Sequence, residues 1–152
     1  VSAGGTLAMN LAYGGNSAIP VRFVFELAAP TYFVAEDWGS LMKSDNLGSE
    51  EEFYQMMTGK ELSVQEYRQE IKKISPTCLV GEDSVPTLIG YGLKDHCVPA
   101  DQKEYLIDAL EKNGVSYDYV EFPHSNHLLY GDLDKMQTFM DLSLEYCKKY
   151  FQ

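Results

Sequence analysis

Pro86-Thr87-Leu88-Ile89-Gly90-Tyr91-Gly92-Leu93-Lys94-Asp95-His96-Cys97-Val98-Pro99 decides the fold of this chain. Residues 86–91 are apolar and compact, the pattern of a strand covered on both faces rather than one. Gly92 breaks the run, and a cluster of polar and ligating side chains follows at once. Downstream, Asp101 to Lys112 reads as an amphipathic helix with Tyr105, Leu106, Ala109 and Leu110 on one face. Asn113-Gly114 stops it, and residues 116–122 (SYDYVEF) alternate as a second strand. A last helix starts at Asp132 or Asp134 and runs to about Tyr150. Upstream, residues 21–28 (VRFVFELA) form a β-rich run that Ala29-Pro30-Thr31 ends. Strands separated by crossover helices predict an α/β fold with a parallel sheet of about three strands, near 21–28, 86–91 and 116–122.

The rest of the chain fits around that frame. Residues 2–14 predict a helix that buries Leu7, Ala8, Leu11 and Ala12, with Gly14-Gly15-Asn16 as its end. Residues 33–75 change character. They predict two short helices, 49–58 and 63–74, and Ser63 with Glu66 fits a capping box. This stretch reads as a helical, cap-like insertion, and the 152 residues as one domain.

Composition narrows the function. Twelve Lys and Arg against 23 Asp and Glu give a formal charge of −11, which repels phosphate backbones and argues against a nucleic-acid partner. No stretch approaches the ~18 to 20 apolar residues that cross a bilayer. Cys78, Cys97 and Cys147 are odd in number and widely spaced, so neither a disulfide framework nor a metal centre is expected. A reducing, cytoplasmic compartment fits best. No cofactor fingerprint is present, since Gly4-Gly5 alone is too little to cradle a phosphate.

Three positions carry chemistry, each just past a strand or before a helix. Val1-Ser2-Ala3-Gly4-Gly5 matches the later positions of Gly-x-Ser-x-Gly, in which a strand turns sharply into a helix and exposes a serine. Asp95 follows the 86–91 strand at the carboxyl edge of the sheet, where α/β sites form. His127 lies in Pro123-His124-Ser125-Asn126-His127, just past the 116–122 strand. Each alone also fits a plainer reading: a serine N-cap, a turn aspartate and a surface-loop histidine. Together they stand in the order Ser, Asp, His, which the chymotrypsin and subtilisin orders do not share. His124 is the rival base, and His96 a rim residue.

With these motifs the chain resembles the α/β-hydrolase carboxylesterases with a Ser-Ala-Gly-Gly elbow, the acetyl-, feruloyl- and lipase-like esterases, and more distantly the prolyl-oligopeptidase-like peptidases. The resemblance covers Val1–Tyr13, Ile74–Pro76, Pro86–Pro99 and Val115–Gly131. It implies that the chain is the C-terminal half of such a domain. It also implies Ser2 as nucleophile, His127 as base, Asp95 as the residue that orients the base, and the Ala3 N–H as one oxyanion donor. The substrate implied is a small-molecule ester. Trp38 and Met42 of the insertion are candidates for a substrate pocket, with ordinary helix packing as the alternative. The family's second oxyanion loop and the strand before the serine are not in these residues. The expectation is therefore weak or no activity for the chain by itself, and a homo-oligomer formed through the exposed sheet edge. A peptidase of the same fold, and a non-catalytic fragment with a relic triad, remain the competing readings.

Overall fold

The computed structural model describes residues 1–15, 17–34 and 48–151. Its centre is a sheet of three parallel strands in the order β1-β2-β3, with β1 at Val24–Leu27, β2 at Thr87–Gly92 and β3 at Tyr117–Phe122. The expected parallel α/β architecture is what forms. β2 lies in the middle and is buried along its whole length, as its unbroken apolar run requires. Val24 stands opposite Thr87, and Thr87 opposite Tyr117, so all three strands start level; β1 ends with Leu27 opposite Gly90, while β2 and β3 run on to Gly92 and Phe122.

Helices cover both faces. On one face lie α1 (Ala3–Tyr13), α2 (Glu50–Thr58), α3 (Val64–Lys72), the short α4 (Pro76–Leu79) and α5 (Gln102–Lys112). Met9, Tyr13, Phe53, Tyr67, Ile71, Leu106 and Leu110 join Val24, Ile89 and Tyr91 in the core there. The other face is covered by α6 (Leu133–Tyr150), whose Phe139 and Tyr146 pack with Leu88, Val120 and Phe122. The phenol of Tyr146 also donates to the Thr87 carbonyl at 3.0 Å, tying α6 to the start of β2.

Two expectations are corrected. The first strand is shorter than 21–28. Its first rung is Val24 N–H to the Pro86 carbonyl at 3.0 Å, and Pro86 has no N–H to extend the ladder backwards. Its last residue is Leu27, because Ala28 takes a left-handed φ of 51° and turns the chain out of the sheet. The second correction concerns α1. Leu7 and Leu11 are 70% and 52% exposed, and the buried residues are Gly5, Thr6, Met9 and Tyr13. The reason is steric. A Cβ on Gly5 would sit 2.7 Å from the Ala29 Cβ, so the glycine marks the line along which helix and sheet approach most closely. The rest of the helical face follows from it at i+4 and i+8.

The helix ends obey local chemistry. Ser63 and Glu66 form the capping box read from sequence, with Ser63 N–H donating to the Glu66 carboxylate at 2.9 Å. Ser49 and Glu52 build a second at the start of α2. At the end of α1 the left-handed residue is Gly15, at φ 68°, while Gly14 is still helical.

Candidate active site

The carboxyl edge of the sheet carries Asp95 and His127 on adjacent loops. β2 ends at Gly92, and the chain turns through Leu93 and Lys94 to Asp95. β3 ends at Phe122, and the chain turns through Pro123 to His127. Two backbone bonds staple these loops: Leu93 N–H to the Phe122 carbonyl at 3.1 Å, and Lys94 N–H to the Ser125 carbonyl at 3.0 Å. Gly92 makes the staple fit. A Cβ there would meet the Ser125 carbonyl oxygen at 2.5 Å and that of Asn126 at 2.7 Å.

The staple brings Asp95 and His127 together. His127 Nδ1 lies 2.8 Å from Asp95 Oδ2, and the Asp95 side chain is fully buried. The other oxygen, Oδ1, accepts from the Cys97 N–H at 2.8 Å and the Val98 N–H at 2.9 Å. Asp95 is thus held by its own turn, and its remaining oxygen is aimed at the imidazole. The His127 side chain keeps 19% exposure, so it is partly open to solvent while its carboxylate partner is not.

Ser2 sits at the end of the neighbouring strand. Its N–H donates to the Leu27 carbonyl at 2.9 Å, which places it beside the last residue of β1. Its backbone has φ 51° and ψ −136°, a conformation L-residues rarely adopt and one that costs on the order of 1–3 kcal/mol. Its side chain makes no capping bond to α1, so the hydroxyl is not serving as an N-cap. Ala3 is the first residue of α1, and amides of a first helical turn lack acceptors within the helix. The helix dipole adds positive potential at this end. Trp38 and Met42 lie outside the described residues.

Three supports were not read from the sequence. Asp132 is 4% exposed and holds the histidine loop from beneath. Its carboxylate accepts from the His124 N–H at 2.9 Å and the Ser125 hydroxyl at 2.6 Å, and pairs with His124 Nδ1 at 2.7 Å. Burial alone would raise its pKa, but the Ser125 hydroxyl and the His124 groups outweigh burial and hold it below the ordinary carboxylate range. His124, the rival base, is therefore engaged with a carboxylate of its own, and its side chain is 71% exposed. Gln102 is the second support. Its Oε1 accepts from the Thr31 and Tyr32 N–H groups at 2.8 Å each, fixing the segment that leaves β1. Glu26 is the third. Buried under α1, it accepts from the Ala29 N–H at 3.0 Å and braces the turn after β1. Burial, only partly offset by that bond, pushes its pKa up to about 8. The available signals were faint: Asp132 looked like a helix cap, and Glu26 was one charge in an apolar strand.

The profile of the prolyl oligopeptidase family matches residues 1–152. Among solved structures, the chain is similar to a truncated carbohydrate esterase from gut microbiota, at 19% identity and a TM-score of 0.70, covering 100% of this chain and 58% of that one. It is similar to an esterase from the planctomycete Thermogutta terrifontis, at 19% identity and TM-score 0.67, covering 97% and 53%. It is also similar to a puromycin-hydrolysing peptidase of Mycobacterium tuberculosis, at 18% identity and TM-score 0.70, covering 98% and 21%. No curated protein sequence matched the chain. The chain spans little more than half the length of the esterases it resembles.

Proposed function

From the premise that this chain belongs to the prolyl oligopeptidase family, within the α/β-hydrolase fold, we propose that it carries the catalytic residues of a serine hydrolase acting on carboxylic esters. The observation that carries this reading is the 2.8 Å pairing of His127 Nδ1 with the buried Asp95, at the same sheet edge as Ser2, whose backbone φ of 51° is strained for an L-residue.

The roles follow from the atoms. Asp95 Oδ2 accepts the Nδ1–H of His127 and so leaves Nε2 free to take a proton. Ser2 Oγ attacks the ester carbonyl carbon and its proton passes to His127 Nε2. The oxyanion that forms is stabilised by the Ala3 N–H and the positive end of α1. The C–O bond to the alcohol breaks, and the alcohol leaves with the proton from His127. Water then repeats the sequence on the acyl-Ser2 ester, releasing the acid and restoring the serine. Trp38 and Met42 stay as proposed pocket residues.

Peptide hydrolysis is the second reading, favoured by the family match and by the peptidase among the similar structures. The same atoms serve both, with an amine as the leaving group.

The test is fluorophosphonate labelling of the chain, with mass spectrometry to locate the adduct. Attachment to Ser2, lost in Ser2→Ala, supports the reading. Turnover of aryl esters against aminoacyl amides then separates the two leaving groups. A chain labelled elsewhere, or equally labelled after Ser2→Ala, would overturn it.

A further inference from the structure

Among the described residues one cluster of metal-ligating side chains stands out: an oxygen of Asp95, the sulfur of Cys97 and a ring nitrogen of His127 all lie within 4.8 Å of one another. We propose that this cluster binds a soft divalent cation of the zinc and cadmium kind, and that the bound cation shuts the acid–base pair down. Binding rests only on the observed cluster; the inhibition rests on the hydrolase reading above.

The donor set carries the proposal. One imidazole nitrogen, one thiolate and one carboxylate oxygen are three ligands of a tetrahedral zinc site, with the fourth position left for water. A thiolate selects soft cations over magnesium or calcium. The turn is already shaped for the task. Cys97 N–H and Val98 N–H both bond to Asp95 Oδ1, so the carboxylate is anchored and Cys97 is held two residues along the same turn. Cys97 is exposed while Asp95 is buried, which gives a cation an approach from solvent by way of the sulfur.

The chemistry balances without a redox partner. The cation takes the place of the Cys97 S–H proton, which goes to solvent, and imidazole binds through a neutral nitrogen. Affinity therefore rises with pH. Either ring nitrogen gives the same result. With Nδ1 on the metal, the remaining ring proton sits on Nε2, the atom that must accept the proton of Ser2. With Nε2 on the metal, that atom is occupied outright. The effect would be reversible by chelation.

The test uses the whole chain with Cys78→Ser and Cys147→Ser, so that Cys97 is the remaining thiol. Cadmium chloride is titrated while the ultraviolet sulfur-to-cadmium charge-transfer band is followed, and zinc chloride is titrated by calorimetry. The expected result is one cation per chain. Cys97→Ser should abolish the band, and His127→Gln should weaken binding by at least about 100-fold, the upper end for losing even an outer-shell partner. A band unaffected by His127→Gln means a lone thiol holds the metal, and overturns the proposal. So does zinc binding that survives Cys97→Ser. In parallel, zinc should slow fluorophosphonate labelling of Ser2, chelator should restore it, and Cys97→Ser should make labelling insensitive to zinc. If Ser2 is not labelled under any condition, the hydrolase reading fails, and the cadmium band alone decides the metal site.

Discussion

Asp95 turns its two oxygens in two directions, and that division predicts the effect of an amide in its place. In Asp95→Asn the side-chain oxygen can still accept from the Cys97 and Val98 N–H groups, so the turn survives. The new NH2 then faces His127 Nδ1 and stabilises the tautomer that carries its proton on Nε2. That tautomer cannot act as the base. The rate of fluorophosphonate labelling should fall by roughly 10³ to 10⁴, with unchanged circular dichroism. His124→Ala should leave the rate nearly intact, because that ring is paired with Asp132. Gly92→Ala should do the reverse of a chemical mutation. Its methyl group meets backbone oxygen rather than a movable side chain, so the two loops must part, at about 1–3 kcal/mol in urea denaturation. Of the candidate residues, Asp95 and His127 were legible in the sequence because each stands one short turn beyond a strand, and Ser2 because its Ser-Ala-Gly-Gly run opens a helix. Asp132 was not. Its partners Ser125 and His124 lie seven and eight residues back, and at the start of α6 it imitates a cap whose bond it does not make.

Elements were legible in kind and less so in facing. Hydrophobic periodicity found α1 but placed Leu7 and Leu11 inward, because spacing alone cannot say which of two adjacent stripes meets the sheet. Close approach at Gly5 decided it, and a glycine contributes nothing to an apolar count. The same limit applies to β1, whose ends were set by its neighbour's proline and by the turn at Ala28 rather than by its own residues. Asp132 couples the last helix to the loop that carries the candidate base. Asp132→Ala should leave α6 formed, raise amide exchange at residues 124–129, and slow labelling of Ser2 by at least about tenfold through loss of position alone. Ordinary exchange protection in that variant would show that the loop is held without the carboxylate.

The molecule as a whole should feel pH through Glu26. Its folded pKa of about 8 stands above the 4.5 of a free carboxyl, so the folded state holds a proton that the unfolded chain has released. Stability should therefore fall as pH rises from about 4.5 to about 8, by a few kcal/mol, and then level off. Urea midpoints at pH 5 and pH 9 read this directly. Glu26→Gln should flatten the difference, and a flat wild-type profile would show that the carboxyl is not the source. Assembly belongs to the same scale. β1 ends the sheet, and beside it α1 exposes Leu7 and Leu11. We propose that copies of the chain pair there, and a monomer in light scattering at high concentration would count against it. A final consequence comes from Gln102. One amide, 0% exposed, clasps the chain at Thr31 and Tyr32 before it departs towards the insertion. That clasp works like the collar of a grafted branch. Beyond it Phe53, Tyr67 and Ile71 come back to pack in the core, so changes that spare these three are the ones the trunk should tolerate. Libraries of new specificity are best seeded beyond the collar, with Gln102 left in place.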